Sequence, residues 1–193
     1  MAVVTYIPKY MYINNYFATT HLYLTMQLER EAGVKAFRNE WQKVSMNIIL
    51  THGQLYNSHE VFFKKSDLTA QQYNILRILR DLYPKPISTS VLRCRMLDKM
   101  SDTSRLVSRL KAKGLVDVDR NSGDKRLVNI LISEKGKEVL GMLDYELYKL
   151  DNLLQGLTEL EAIQLSALLE KARQSILSAE ERLAAMPVIE QTA

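Results

Sequence analysis

Cysteine is all but missing from this chain of 193 residues; Cys94 is the one copy, so no internal disulfide framework can form. A single thiol fits a reducing, cytoplasmic setting. Only four prolines and seven glycines interrupt the sequence, which predicts long regular segments. No run of 18 apolar residues occurs, so no membrane-spanning helix is expected. A Gly-rich phosphate loop, a Gly-x-Ser-x-Gly elbow and a paired carboxylate–histidine arrangement are absent, which argues against an enzyme. His52 and His59 stand seven positions apart, about 10 Å along one helix, too far to share a metal. No cysteine or carboxylate cluster completes a site, so neither a metal nor a cofactor is expected. Residues 1–25 lack acidic side chains and hold five tyrosines and one lysine. They also lack the features of a signal peptide, and read as a disordered appendage or as upstream sequence from a mis-set start.

What the chain does hold is periodicity. From about Phe37 to Phe63, Trp41, Val44, Ile48, Leu55 and Phe62 recur largely at helical intervals, one face of a long amphipathic helix. Thr69 with Gln72 reads as a capping box for a helix carrying Tyr73, Leu76, Ile78 and Leu79, which must end before Pro84-Lys85-Pro86. Ile87 to Leu97 predicts a short helix starting near Ser88-Thr89-Ser90, with Val91, Leu92 and Leu97 inward. Ser101 as N-cap, with Asp102 adding favourable charge, opens a helix that runs to Lys113 and stops at Gly114.

The period then falls to two. Val116 and Val118 alternate with Asp117 and Asp119, Asn121-Ser122-Gly123-Asp124 supplies a turn, and Leu127 to Ile132 returns as a second strand. Helix resumes at Ser133 with Leu140, Leu143, Leu147, Leu150 and Leu154 in a ladder that Gly156 breaks, and Thr158 to Glu161 opens a last helix toward Leu183. From Pro187 onward the chain reads as frayed. These signals predict a mainly α fold, a winged helix-turn-helix with a two-stranded β-wing. A compact lobe of this size cannot cover every apolar face of the outer helices, so N- and C-terminal dimerisation helices are expected. The boundaries are 26–66 and 133–193 for those helices, with the winged lobe at 67–132.

Charge is unevenly placed. Residues 88–126 hold ten Lys/Arg and five Asp, a net +5, whereas the whole chain carries +4. That concentration is the footprint expected for phosphate binding, with double-stranded DNA as the partner. On the helix from Ser101 to Lys113, Leu106, Val107 and Leu110 form the inward stripe, leaving Ser101, Ser104, Arg105, Ser108 and Arg109 on other faces. Small hydroxyls let a helix approach the groove floor, and arginine can bond bidentately to guanine. Thr103 and Lys111 join these as candidate DNA contacts. At the hairpin tip, Lys125 and Arg126 are candidates for the neighbouring minor groove, and Asp124 is a candidate brace because its charge repels phosphate. Cys94 reads as a small buried residue in preference to a redox sensor. Trp41, Tyr56 and Tyr73 read as core in preference to a ligand pocket. The competing reading is a winged-helix interaction adaptor that binds no DNA.

Leu68 to Leu76, Arg105 to Leu110 through Lys113-Gly114-Leu115-Val116, Asp124-Lys125-Arg126 and Ile132 to Gly136, in that order, resemble the multiple antibiotic resistance regulator (MarR) family. The resemblance is firm from about Asp67 to Glu138. It implies a homodimeric transcription regulator on a pseudo-palindromic operator, a repressor released by a small ligand bound between the dimerisation helices and the DNA-binding lobe. It also implies groove-facing roles for Ser104, Arg105, Ser108 and Arg109, and a wing arginine in Arg126. Val118 departs from the pattern, standing where many members carry arginine, and Arg120 is the candidate substitute.

Overall fold

The computed structural model describes residues 28–120 and 128–184. The chain divides into two compact units, residues 1–140 and 141–193.

In the first unit, α1 spans Glu40–Lys64 and begins where the Asn39 side chain accepts the Gln42 N–H at 2.9 Å. It ends in a Schellman motif: Leu68 N–H donates to the Phe63 carbonyl (3.2 Å) and Asp67 N–H to that of Lys64 (3.0 Å). Asp67 takes the left-handed conformation (φ 53°) that this turn requires. The α2 helix follows at Ala70–Leu82, and both halves of the predicted capping box between Thr69 and Gln72 are made. Its Ile75, Leu76 and Leu79 are fully buried, the centre of the lobe. Phe63 and Tyr73 stack across the α1–α2 junction with ring centroids 4.2 Å apart.

The chain then turns through Ile87, which exchanges two backbone hydrogen bonds with Ile130, so this residue joins the wing rather than opening a helix. The next helix, α3, is accordingly shorter than expected, Thr89–Arg95, with Ser88 as its N-cap. Leu92 and Met96 point inward. Val91 and Leu97 do not: Leu97 is 84% exposed, because a helix ending at Arg95 leaves it in the following turn. Helix α4 covers Thr103–Ala112, packed through Leu106, Val107 and Leu110. Its N-cap is Asp102, whose carboxylate accepts from Arg105 N–H (3.0 Å), not Ser101. A carboxylate carries full charge to the positive helix end, where a hydroxyl offers only a dipole.

Gly114 (φ 72°) ends α4, and β1 (Val116–Arg120) pairs antiparallel with β2 (Val128–Ile132) in the register Val116↔Ile132 to Arg120↔Val128. Helix α5, Glu134–Asp144, starts so close behind the wing that a methyl on Gly136 would collide with the Leu115 carbonyl and lie 2.8 Å from Ile132 Cγ1. Only glycine fits there.

The leucine ladder is not one helix. Past Asp144 the chain forms turns, the single-turn α6 at Tyr148–Asp151 and a 3₁₀ segment at Asn152–Leu154. Breakdown therefore begins well before Gly156. The last helix, α7, runs Glu159–Ala184 and opens on the predicted capping box, Thr158 with Glu161. Backbone and side-chain hydrogen bonds from Thr158 hold the Glu161 carboxyl below its ordinary range. Among the described residues, no helix is long and apolar enough to cross a membrane.

Candidate nucleic-acid interface

The inward stripe of α4 decides what its other side can do. With Leu106, Val107 and Leu110 buried, the residues between them turn outward: Ser104, Arg105, Ser108 and Arg109 are all exposed. Arg105 and Arg109 are one helical turn apart, as are Ser104 and Ser108, so two cations and two hydroxyls share one solvent face. Neither arginine forms an ion pair with any described residue. Their guanidinium forks are therefore available to an outside acceptor. The Ser108 hydroxyl donates to the Ser104 carbonyl at 3.0 Å, which occupies its proton and leaves its lone pairs outward.

The other candidates on this helix divide. Ser101 is half-buried in the turn ahead of α4, its hydroxyl donating to the Asp98 carbonyl (2.9 Å). Thr103 is 3% exposed and its hydroxyl faces the Ser101 carbonyl at 3.5 Å; it supports the helix start and presents nothing to solvent. The reason is phase: Thr103 sits three residues before Leu106, on the buried side. Lys111 is exposed and donates to the Val118 carbonyl (3.2 Å), tying the end of α4 to the wing. Val118 is half-buried opposite Ile130, so no charge belongs there, whereas Arg120 is exposed at the strand end. Asp124, Lys125 and Arg126 lie outside the described residues, as does the 1–25 segment.

Three residues outside the candidate set shape this surface. Arg93 and Arg95 are exposed on α3, and Cys94 between them is exposed too, not buried. On a seven-residue helix, Leu92 and Met96 already fill the inward positions, and Cys94 falls on the opposite side. The third is Asp98, which organises the turn ahead of α4: it accepts from Met100 N–H (2.9 Å) and from Gln71 Nε2 (2.8 Å). No local pattern marks that role, because its partner Gln71 lies 27 positions away.

The aromatic positions weighed as pocket or core are neither uniformly. Tyr73 is stacked on Phe63, but Trp41 is 82% and Tyr56 40% exposed. Burial and the neighbouring Glu60 raise the Tyr56 pKa. Each of the two described histidines lies beside an aromatic one turn on, His52 by Tyr56 and His59 by Phe63. Among the described residues, no group of three potential ligands could hold a metal.

Comparison with known proteins agrees with this geometry. No family model matches the chain. Over 120 residues, 62% of this chain and 71% of the relative, it is 28% identical to the HTH-type transcriptional repressor IacR of Pseudomonas putida. The solved MarR transcription factor of Planctomyces limnophilus is 26% identical, with a TM-score of 0.55 over 72% of this chain and 99% of that one. A mutant MarR from E. coli, complexed with operator DNA, has a TM-score of 0.63 at 23% identity, again over 72% and 99%. The likeness to these solved structures shows that the chain has the winged helix-turn-helix fold of MarR regulators.

Proposed function

We propose that the chain is a homodimeric, sequence-specific DNA-binding transcription regulator acting in the cytoplasm, a repressor released by a small ligand, and not an enzyme. The observation that carries this reading is the exposed Arg105–Arg109 face of α4, ion-paired with none of the described residues and flanked by Ser104 and Ser108. Like charges one turn apart repel modestly and add nothing to the fold, whereas a duplex backbone would neutralise them. In this reading α4 lies in the major groove, with Arg105 and Arg109 at base edges or phosphates and the small serines permitting close approach. Arg126 is the wing arginine for the adjacent minor groove, Asp124 is its brace, and Lys125 is a further DNA contact. The terminal regions 26–66 and 133–193 join two copies, so that two α4 helices meet successive major grooves about 34 Å apart on a pseudo-palindromic operator.

Support for pairing comes from surface chemistry. On α7, Leu160, Ile163, Leu168, Ile176 and Leu177 are each more than half exposed, and on α1 so are Trp41, Val44 and Ile49. Apolar area on that scale marks an interaction face. A ligand that favours one spacing of the two lobes over another would release the operator.

Gel-shift titration of the purified chain against genomic fragments, followed by footprinting, tests the reading. Retained fragments should share an inverted repeat, and the binding constant should fall with salt at a log–log slope of about −0.9 per phosphate contact. A chain that retained no fragment at low salt would instead be the interaction adaptor.

A further inference from the structure

The segment Asp67–Gln71, which joins α1 to α2 and includes the first two residues of α2, touches the turn before α4 at one end and the C-terminus of α4 at the other. At the front, Gln71 Nε2 donates to Asp98 Oδ2 (2.8 Å), while Asp98 Oδ1 accepts from Met100 N–H and its carbonyl accepts from Ser101. At the back, Lys113 is the C-cap of α4, and its ammonium pairs with Asp67 Oδ2 at 3.0 Å and also donates to the Asp67 carbonyl. The same segment is fastened to α1, because Glu60 Oε1 accepts the Ala70 N–H at 2.8 Å.

Stability does not explain the back contact. Asp67 is a non-glycine residue in left-handed backbone, at the one position of a Schellman motif where glycine is cheapest. Its side chain is 91% exposed, so its ion pair adds little to folding. What the carboxylate adds over glycine is a charged acceptor for Lys113 at the end of α4, beside the backbone carbonyl that any residue would offer.

We propose that Asp67 and Gln71 are positioning residues that yoke α4 to α1 at both of its ends, setting the angle at which the Arg105–Arg109 face is presented. The inference rests on the DNA-binding reading above. It also names a route by which displacement of α1 reaches the DNA-binding face: through Glu60 into the segment, and from the segment into both ends of α4.

The test uses the full chain and two duplexes of equal length, one selected by the wild-type protein from a random-sequence pool and one unselected. Asp67→Gly relieves the left-handed backbone, so its thermal midpoint should equal or exceed that of the wild type, whereas a purely structural role would lower it. Affinity of Asp67→Gly for the selected duplex should fall about three- to thirty-fold while the unselected duplex is bound as before, the range seen when coupling residues are altered. Gln71→Met should do the same through the front contact, and the double variant should lose more than either. Wild-type binding with an unchanged selected-to-unselected ratio in both single variants would overturn the yoke and leave the regulator reading standing. Failure of the wild type to enrich any duplex would overturn both.

Discussion

The winged lobe and the C-terminal helix α7 are built from similar apolar residues and spend them in opposite ways. In the lobe, Ile75, Leu76, Leu92, Leu110 and Ile130 are completely buried by their own chain. On α7, Leu160, Ile163 and Leu168 are 60–64% exposed over a helix of 26 residues. A closed core needs no second surface, whereas in the dimeric reading proposed above the open face of α7 is completed by another copy of the chain. In that reading, folding and assembly fall to different residues. They can be broken separately.

The largest effect should come from the closed core. Leu76→Ala removes a fully buried side chain and should destabilise the lobe by about 2–5 kcal/mol, read from chemical denaturation; a loss below 1 kcal/mol would mean the core is looser than its burial indicates. Leu168→Glu should leave the lobe folded by circular dichroism but weaken the dimer by about 2–4 kcal/mol in sedimentation equilibrium, because a charge is forced into an apolar contact. Unchanged association would move the interface elsewhere. Arg109→Ala should cost about 1–3 kcal/mol of DNA affinity and relax preference at one base pair per half-site if it reads a base; equal loss on random DNA would restrict it to phosphate.

The smallest effect concerns pH at the α1 end of the lobe. Burial lowers the His59 pKa below its ordinary 6.5, so the fold prefers the neutral ring. Its contribution is complete above about pH 6.5 and is lost as pH falls through the lower folded value. Thermal midpoints of His59→Gln should therefore drop less than those of the wild type between pH 7.5 and 5.5. Parallel curves would show that His59 titrates as it does in the unfolded chain.

Local chemistry was readable wherever cause and effect lie within a few residues. The Thr69–Gln72 and Thr158–Glu161 boxes, the stop at Gly114 and the change of period at Val116 are all short-range, and each stands where the pattern placed it. The exposed face of α4 followed from its buried stripe for the same reason. Thr103 is buried because it shares the helical phase of Leu106, and Asp102 caps α4 in place of Ser101 because two adjacent residues could both cap and only the geometry chooses.

The sequence by itself determined the winged helix-turn-helix, its basic face and the two flanking helical regions, since periodicity, caps and charge act over one or two turns. Tertiary structure alone decided that Ile87 joins the wing, that Cys94 is exposed, and that Asp67 and Gln71 hold the two ends of α4. Those contacts join residues 27 to 46 positions apart, and no local pattern encodes which distant partner a side chain will meet.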